Sequence, residues 1–134
     1  MTVSVMLDTN AMSELMRQPR GPIQRRLRFI DRDGACVSIV TAAELRYGAN
    51  KSGRSDIAAA VEGVLQAVPV MPFDLPADMR YGELRTHLER LGVPIGPNDL
   101  LIASHALALD LTLVTGNVRE FSRVPGLRVE NWLD

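Results

Sequence analysis

The sequence has little that would place it in a membrane or outside the cell. Its apolar runs, such as residues 100–103 and 111–114, are far shorter than the roughly 20 residues of a membrane-spanning helix. No basic segment precedes Asp8, so we expect no secretory signal. Cys36 is the only cysteine, which excludes an intramolecular disulfide and a cysteine-based zinc site. We therefore expect a cytoplasmic protein that does not enter a membrane.

Several common catalytic patterns are also missing. There is no glycine-rich phosphate loop, and neither His87 nor His105 belongs to an H-E-x-x-H or a Ser-His-Asp arrangement. A phospho-aspartyl enzyme would need a D-x-D pair, but Asn10 stands two residues after Asp8. The only lysine, Lys51, does not follow a predicted strand. These absences leave the acidic side chains as the main candidates for chemistry.

The chain does have a regular alternation of short apolar strands and helices. Its 134 residues, 46% of them hydrophobic, suit one domain spanning residues 1–134. The pattern predicts strands at 3–7, 35–40, 68–73, 112–115 and 127–129, and helices at 10–16, 22–32, 42–50, 55–67, 76–91, 99–109 and 118–121. Such an alternation favours a three-layer α/β/α fold with a central, mainly parallel sheet.

Three acidic residues lie where a parallel sheet would gather them. Asp8 follows the first strand, Glu44 lies in the first turn after the second strand, and Asp99 opens a later helix. Each has a simpler explanation as a helix cap: Asp8 by itself, Thr41 with Glu44 as a capping box, and Asp99 or Asn98 at the later helix. Three carboxylates at one edge would nevertheless repel one another unless a cation lay among them. Oxygen ligands without cysteine or paired histidine favour Mg²⁺ or Mn²⁺.

The charges are unevenly distributed along the chain. The formal net charge is −1, from 15 basic and 16 acidic residues, which argues against a wholly basic nucleic-acid binder. Residues 15–30, however, contain five arginines and no acid, and the planar arginine group suits bidentate contacts with phosphate. A solvated helix face explains the same arginines equally well.

Four motifs occur in order along almost the whole chain. They are V-M-L-D-T-N-A-M-S-E, S-I-V-T-A-A-E-L-R-Y-G-A, P-I-G-P-N-D-L-L-I-A-S-H-A-L and T-L-V-T-G-N-V-R-E-F-S-R-V-P-G-L. Together they resemble the VapC family of type II toxins, which are PIN-domain ribonucleases. The resemblance implies a PIN-domain fold and a catalytic acid cluster that holds a divalent metal ion. In that cluster Asp8, Glu44 and Asp99 match the first, second and third acids, which ligate the metal.

The fourth acidic position departs from the most acidic form of the family pattern. Where many PIN nucleases have an aspartate after the fourth strand, this chain has Asn117, and Glu120 follows three residues later. Either Asn117 supplies a neutral oxygen or Glu120 turns back to complete the site, so the departure concerns a second metal rather than the first. Asn10 and Thr115 are expected to orient carboxylates or a water at the metal, unless they serve only as turn and cap residues.

The resemblance implies a toxin that hydrolyses phosphodiester bonds of structured RNA, often tRNA, with Mg²⁺ or Mn²⁺ as cofactor and a 5′-phosphate product. It also implies a homodimer and neutralisation by a cognate VapB-like antitoxin, and the apolar helices at 57–67 and 79–91 are candidate surfaces for these contacts. We expect arginines to hold the RNA backbone. The candidates are Arg17, Arg20, Arg25, Arg26 and Arg46.

Two alternatives stay open at this point. Asn117 also suits a catalytically silent PIN-fold module that binds RNA or a protein without cutting. In that case, replacing Asp8 or Asp99 would leave the cellular phenotype unchanged. A DNA nuclease of the same fold would instead be recognised by its cleavage of single-stranded DNA.

Overall fold

Short apolar segments form a central sheet in the computed structural model, which describes residues 3–30 and 33–133. The strands are β1 (Val5–Leu7), β2 (Ala35–Ser38), β3 (Val70–Met71), β4 (Thr112–Val114) and β5 (Val129–Glu130). The helices are α1 (Thr9–Arg17), α2 (Pro22–Leu27), α3 (Ile39–Ser52), α4 (Ser55–Ala67), α5 (Ala77–Leu91), α6 (Pro97–Ala108) and α7 (Val118–Phe121). The sheet order is β3-β2-β1-β4-β5 and every pairing is parallel.

The sheet is covered by helices on both faces, which explains why the strand sequences are continuously apolar. In β1, Leu7 packs into a core shared with α1 to α4, whereas Met6 packs into a second core with α5 to α7. Val37 and Cys36 alternate in the same way along β2. The predicted three-layer α/β/α fold is confirmed, and its central strand β1 brings Asp8 to the middle of the sheet edge.

The end of the second strand differs from the prediction. That strand was expected to reach Val40, but β2 ends at Ser38 and α3 begins at Ile39. The Ser38 hydroxyl caps the helix by accepting a hydrogen bond from the Val40 amide at 3.1 Å. The interpretation of Thr41 and Glu44 as a capping box is therefore wrong, and Glu44 lies in the second turn of α3. Ile39 and Val40 are β-branched, so they imitate a strand in the sequence although they open a helix.

Prolines and turns account for other differences in element length. β3 has only two residues, because Pro69 and Pro72 on either side have no amide hydrogen to donate to a neighbouring strand. α2 ends at Leu27, and the amides of Phe29 and Ile30 then bond to carbonyls three residues back, as in a turn. Its predicted end, Arg32, lies outside the described residues. Strands β1, β4 and β5 differ from their predicted ranges by one or two residues.

Helix α6 begins two residues earlier than expected. Pro97 takes the first helical position, where its missing amide hydrogen is no loss. The cap position is Gly96 and no side chain caps the helix, so the interpretation of Asn98 or Asp99 as a cap is wrong. In the described part of the chain no helix is long and apolar enough to cross a bilayer.

Candidate active site

The carboxyl ends of β1 and β4 lie side by side at the centre of the sheet. Leu7 pairs with Val114 in parallel register, so the residues that follow them, Asp8 and Thr115, are neighbours. Both are buried, and the Thr115 hydroxyl donates a hydrogen bond to the Asp8 carboxylate. The Asp8 amide also donates to the Val114 carbonyl at 3.0 Å. The sheet therefore fixes the first predicted acid and brings Thr115, its expected orienting residue, into contact with it.

Asp8 is both a helix cap and an acid of the site. Its Oδ1 accepts a hydrogen bond from the Ala11 amide at 2.8 Å, as the capping interpretation predicted. Asp8 is only 2% exposed, and this burial raises its pKa to about 6. Hydrogen bonds from Thr115 and Ala11 lower the pKa, whereas the charges of Glu44 and Glu120 raise it. A negative charge on Asp8 is thus unfavourable unless a cation shares it.

Asp99 reaches the same edge from the first turn of α6. Its pKa is raised to about 7, first by burial and then by a hydrogen bond with Glu120. The negative charges of the other three acids, Glu120, Asp8 and Glu44, add to the rise. These electrostatic contributions mean that all four acids lie close enough to affect one another.

Glu44 is held by Thr9, which the sequence analysis did not single out, and by Asn98, which it considered only as a helix cap. The Thr9 hydroxyl donates to its Oε1, and the Asn98 side-chain amide donates to its Oε2 at 3.1 Å. Thr9 follows Asp8 in the chain and Asn98 precedes Asp99. The polar neighbours of the two aspartates, in D-T-N and N-D, are the sequence signal that could have identified them.

Glu120 turns back from α7 toward α6. Its Oε1 accepts a hydrogen bond from the Gly96 amide at 3.0 Å, and its Oε2 accepts one from the Asn117 side-chain amide at 2.6 Å. Glu120 also lies close enough to Asp99 to raise the pKa of that carboxyl group. Glu120 therefore supplies the carboxylate at the fourth acidic position, and the side-chain amide of Asn117 donates a hydrogen bond to it.

Asn10 holds the loop after β4 rather than a carboxylate. Its Oδ1 accepts a hydrogen bond from the Gly116 amide at 2.8 Å. A Cβ atom at Gly116 would lie 2.6 Å from that oxygen and 2.8 Å from Cδ2 of Leu133, so only glycine fits without a displacement. The sequence analysis noted Gly116 only as part of T-G-N and did not consider Leu133.

A cleft of about 380 Å³ opens beside the two aspartates. Its lining residues are Asp8, Asn10, Asp99, Gly116, Asn117 and Leu133. Within residues 3–30 and 33–133, none of the four acids forms an ion pair with a basic side chain. The cleft therefore concentrates negative charge that the described part of the protein does not neutralise.

The donor atoms of this cleft suit a hard divalent ion held by two carboxylates. Among the described residues, no three His, Cys, Asp or Glu side chains converge closely enough to ligate one ion. Both oxygens of Glu44 and of Glu120 already accept hydrogen bonds, which leaves Asp8 and Asp99 as the pair that lines the cleft. Mg²⁺ is commonly bound by one or two carboxylates, while water and substrate phosphates complete its coordination. Direct ligation by Glu44 stays a prediction.

Comparison with known proteins identifies the family. The PIN domain family profile matches residues 5–127. The chain is 39% identical over 128 residues to the tRNA(fMet)-specific endonuclease VapC of Salmonella typhimurium, covering 95% of this chain and 96% of that protein. It is also 39% identical over 129 residues to ribonuclease VapC2 of Rickettsia felis, with the same coverage. The chain belongs to the VapC family of PIN-domain ribonucleases.

Solved VapBC structures agree with this assignment. A DNA-bound VapBC structure from Salmonella typhimurium matches with a TM-score of 0.93 and 38% identity, covering 98% of this chain and 99% of that chain. A VapBC2 structure from Rickettsia felis, bound to a fragment of promoter DNA, matches with a TM-score of 0.89 and 36% identity over 97% and 99% of the two chains. The resemblance drawn from the four motifs is confirmed for a VapC toxin ribonuclease and for its PIN fold.

Two of the arginines predicted to bind RNA in this VapC protein already have acidic partners. Arg17 pairs with Glu14 one turn earlier in α1, and Arg46 of α3 pairs with Glu62 of α4. Ion pairs at a protein surface contribute about 0 to 1 kcal/mol, so a phosphate could replace either carboxylate. Both arginines stay candidates, but each must leave an acidic partner to bind RNA.

The other three predicted arginines have free or stacked side chains. Arg20 and Arg25 line a second cleft of about 580 Å³ at residues 18–25, and in the described ranges neither forms an ion pair. The Arg26 guanidinium lies 5.7 Å from the centre of the Trp132 ring. Trp132 is followed by Leu133, which lines the acidic cleft, so Arg26 is connected to the edge of the site.

The raised pKa of Asp99 predicts how stability depends on pH in the VapC chain without metal. A carboxyl group whose pKa is higher in the folded state favours folding at low pH, and this advantage is lost as the pH rises through about 7. Asp99→Asn removes that loss. Between pH 5 and 8 in EDTA, we expect its unfolding free energy to gain about 1 to 2 kcal/mol relative to wild type in urea titrations.

The matched control for this measurement is Asp56→Asn. Asp56 is exposed and Arg54 lowers its pKa, so the substitution gives no relative gain at high pH. If wild type and Asp99→Asn showed parallel pH profiles, the account of a destabilised carboxyl group at position 99 would be wrong.

Proposed function

We propose that this VapC-family protein is a divalent-metal-dependent endoribonuclease and the toxin of a type II toxin–antitoxin pair. The observation that carries the proposal is a pair of carboxyl groups, the buried Asp8 and the half-buried Asp99, that line one cleft without a basic partner in the described part of the chain. Burial and neighbouring acids raise the pKa of both groups, so their negative charge is unfavourable. A binding module has no need for such a pair. A metal-dependent nuclease requires one, because the carboxylates become favourable when a cation joins them.

Asp8 and Asp99 would hold Mg²⁺ or Mn²⁺ in this proposal. Bound there, the ion would act as a Lewis acid that activates a water and neutralises charge on the phosphoryl oxygens. Thr115 keeps the Asp8 carboxylate in place through its hydroxyl. Glu44 adds negative charge and stays linked to both aspartates through Thr9 and Asn98.

Glu120 has the fourth acidic role, and Asn117 supports it. The amides of Gly96 and Asn117 hold both oxygens of Glu120, so the side chain stays turned toward Asp99. No histidine lines the cleft, and among the residues that the structure describes, carboxylates are the only ionisable side chains in its lining. Binding of a second ion would require Glu120 to exchange these hydrogen bonds for contacts with the metal.

The proposed substrate is structured RNA. The Salmonella relative is a tRNA(fMet)-specific endonuclease by name, so tRNA is the first substrate to test. Arg20 and Arg25, which have no ion-pair partner among the described residues, and the stacked Arg26 form an arginine-rich surface. This surface continues to Trp132 and Leu133 beside the cleft. An RNA substrate also makes the cytoplasm the expected location.

The proposed protein partners are a VapB-like antitoxin and a second copy of the chain. The solved VapBC structures that resemble the chain support the first. Of the two helices expected to form contacts, α5 exposes Met79 and Leu91 at 64% and 60%, whereas α4 turns Val61 and Leu65 into the core. Phe29, 89% exposed after α2, is a further apolar contact that the sequence analysis did not consider.

Cleavage of RNA by wild type and by Asp99→Asn tests the proposed reaction. With Mn²⁺ or Mg²⁺, we expect wild type to cut a tRNA pool into discrete fragments with 5′-phosphates. The rate should fall by about 100-fold or more in Asp99→Asn, because one of the two carboxylates of the site is lost, and EDTA should stop the reaction. Asp110→Asn is the control. Asp110 is exposed and pairs with Arg128, so this variant should keep wild-type activity.

The same assay separates the alternatives. A catalytically silent module would give no fragments with any metal, or fragments at the same rate from wild type and Asp99→Asn. A DNA nuclease would cut single-stranded DNA faster than RNA. Either result would contradict the proposed ribonuclease.

Binding of RNA at increasing salt tests the arginine surface. In the inactive Asp99→Asn background, Arg25→Ala should weaken tRNA binding and lower the slope of log affinity against log salt by about 1, because one phosphate contact is lost. Arg54→Ala is the control, since Arg54 pairs with Asp56, and it should leave the slope unchanged. Equal slopes in all three proteins would exclude Arg25 from the RNA surface.

A further inference from the structure

A buried hydrogen bond joins the two helices that carry Glu44 and Asp99. His105 of α6 is 1% exposed, and its Nδ1 lies 2.8 Å from the hydroxyl oxygen of Ser38. Ser38 is fully buried and stands at the junction of β2 and α3. The bond therefore connects the start of α3 with the later part of α6.

Ser38 can donate this bond. Its oxygen accepts from the Val40 amide, which leaves its own proton for donation to Nδ1 of His105. We assign the imidazole to the neutral tautomer protonated at Nε2, in which Nδ1 accepts. Burial lowers the pKa of His105, which favours this neutral ring. Within the described residues no group meets hydrogen-bond geometry at Nε2, although the nearby Pro72 carbonyl acts to raise the pKa of His105. Phe73 packs edge-on against the ring at 5.3 Å.

Packing alone does not account for a histidine at position 105. A buried nitrogen without a partner lowers stability, and an apolar side chain of similar size would avoid that loss. What an apolar side chain could not supply is the acceptor for Ser38. The bond to Ser38 is therefore the feature of His105 that needs a functional explanation.

A second polar link joins the same two helices at the edge of the site. It is the hydrogen bond from Asn98 of α6 to Glu44 of α3 at 3.1 Å. Six residues separate Ser38 from Glu44, and seven separate Asn98 from His105. These spacings correspond to about 9 Å and about 10 Å along the two helices, which pass each other in opposite directions. The two hydrogen bonds are therefore separated by nearly the same distance along α3 and along α6. A shift of α3 along the axis of α6 would break both.

We propose that His105 is a positioning residue of the active site. Through Ser38 it fixes the axial position of α3 against α6, and so holds the Glu44 carboxylate at Asn98, next to Asp99. The consequences for metal binding and cleavage rest on the proposed function, whereas the placement of Glu44 does not.

Four single variants test this inference. Ser38→Ala and His105→Leu remove the buried bond from either side. His105→Asn keeps an acceptor close to the place of Nδ1 and serves as the conservative rescue. Ser104→Ala is the matched control, because the Ser104 hydroxyl is also buried in α6 but bonds only to the Leu100 carbonyl of its own helix.

The first measurement is the side-chain amide signal of Asn98 in ¹H–¹⁵N NMR spectra, which reports its bond to Glu44 without metal or RNA. The second is the dissociation constant for Mn²⁺. We expect Ser38→Ala and His105→Leu to shift the Asn98 signal and to weaken Mn²⁺ binding by about tenfold or more. His105→Asn should recover most of both, and Ser104→Ala should change neither.

The outcomes separate this inference from the proposed function. An unshifted Asn98 signal in folded His105→Leu and Ser38→Ala would overturn the inference, whatever the protein does to RNA. A purely structural histidine would lower the melting temperature of these variants and leave the Asn98 signal unchanged. If the signal shifts as expected but wild type neither binds Mn²⁺ nor cuts RNA, the positioning of Glu44 stands and the proposed function is wrong.

Discussion

Burial of negative charge, reinforced by repulsion among neighbouring carboxylates, is the constraint on which the site depends. The parallel pairing of β1 with β4 fixes Asp8, and the first turn of α6 fixes Asp99, so the protein holds two partly desolvated acids at one cleft. Their pKa values of about 6 and about 7 reflect the unfavourable burial of negative charge. Neutral donors, namely Thr9, Asn98 and Asn117, hold the other two acids without cancelling their charge. Without a divalent ion, Asp8 and Asp99 therefore tend to bind protons. A bound divalent ion would instead stabilise both groups as carboxylates.

Most of the fold follows from local patterns in the sequence. Continuous apolar runs identified the buried strands, and the acids at the ends of those runs identified the edge of the sheet. The start of α3 was missed because Ile39 and Val40 have strand-like side chains, while the deciding cap is the hydroxyl of Ser38. The short β3 reflects the prolines at its two ends, which allow only a two-residue pairing.

The finer geometry of the site could not be obtained from the sequence. The sequence marks Thr9 and Asn98 only as polar neighbours of the two aspartates, because their partner Glu44 is more than 30 residues away in the chain. The direction of Glu120 likewise depends on Gly96, which reaches it from another loop. The role of Gly116 is visible only when Asn10 and the C-terminal segment are packed around it. These are tertiary contacts, and one sequence without its fold does not specify them.

Calorimetric titration of the metal-free protein with Mn²⁺, at about pH 6.5 in two buffers of different ionisation enthalpy, tests the central claim most directly. Asp8 and Asp99 are partly protonated at that pH. The account predicts that binding releases protons, and that Asp99→Asn both weakens binding and reduces the number released. Absence of Mn²⁺ binding, or binding of equal strength and without proton release in both proteins, would contradict the claim that these two carboxyl groups form the metal site.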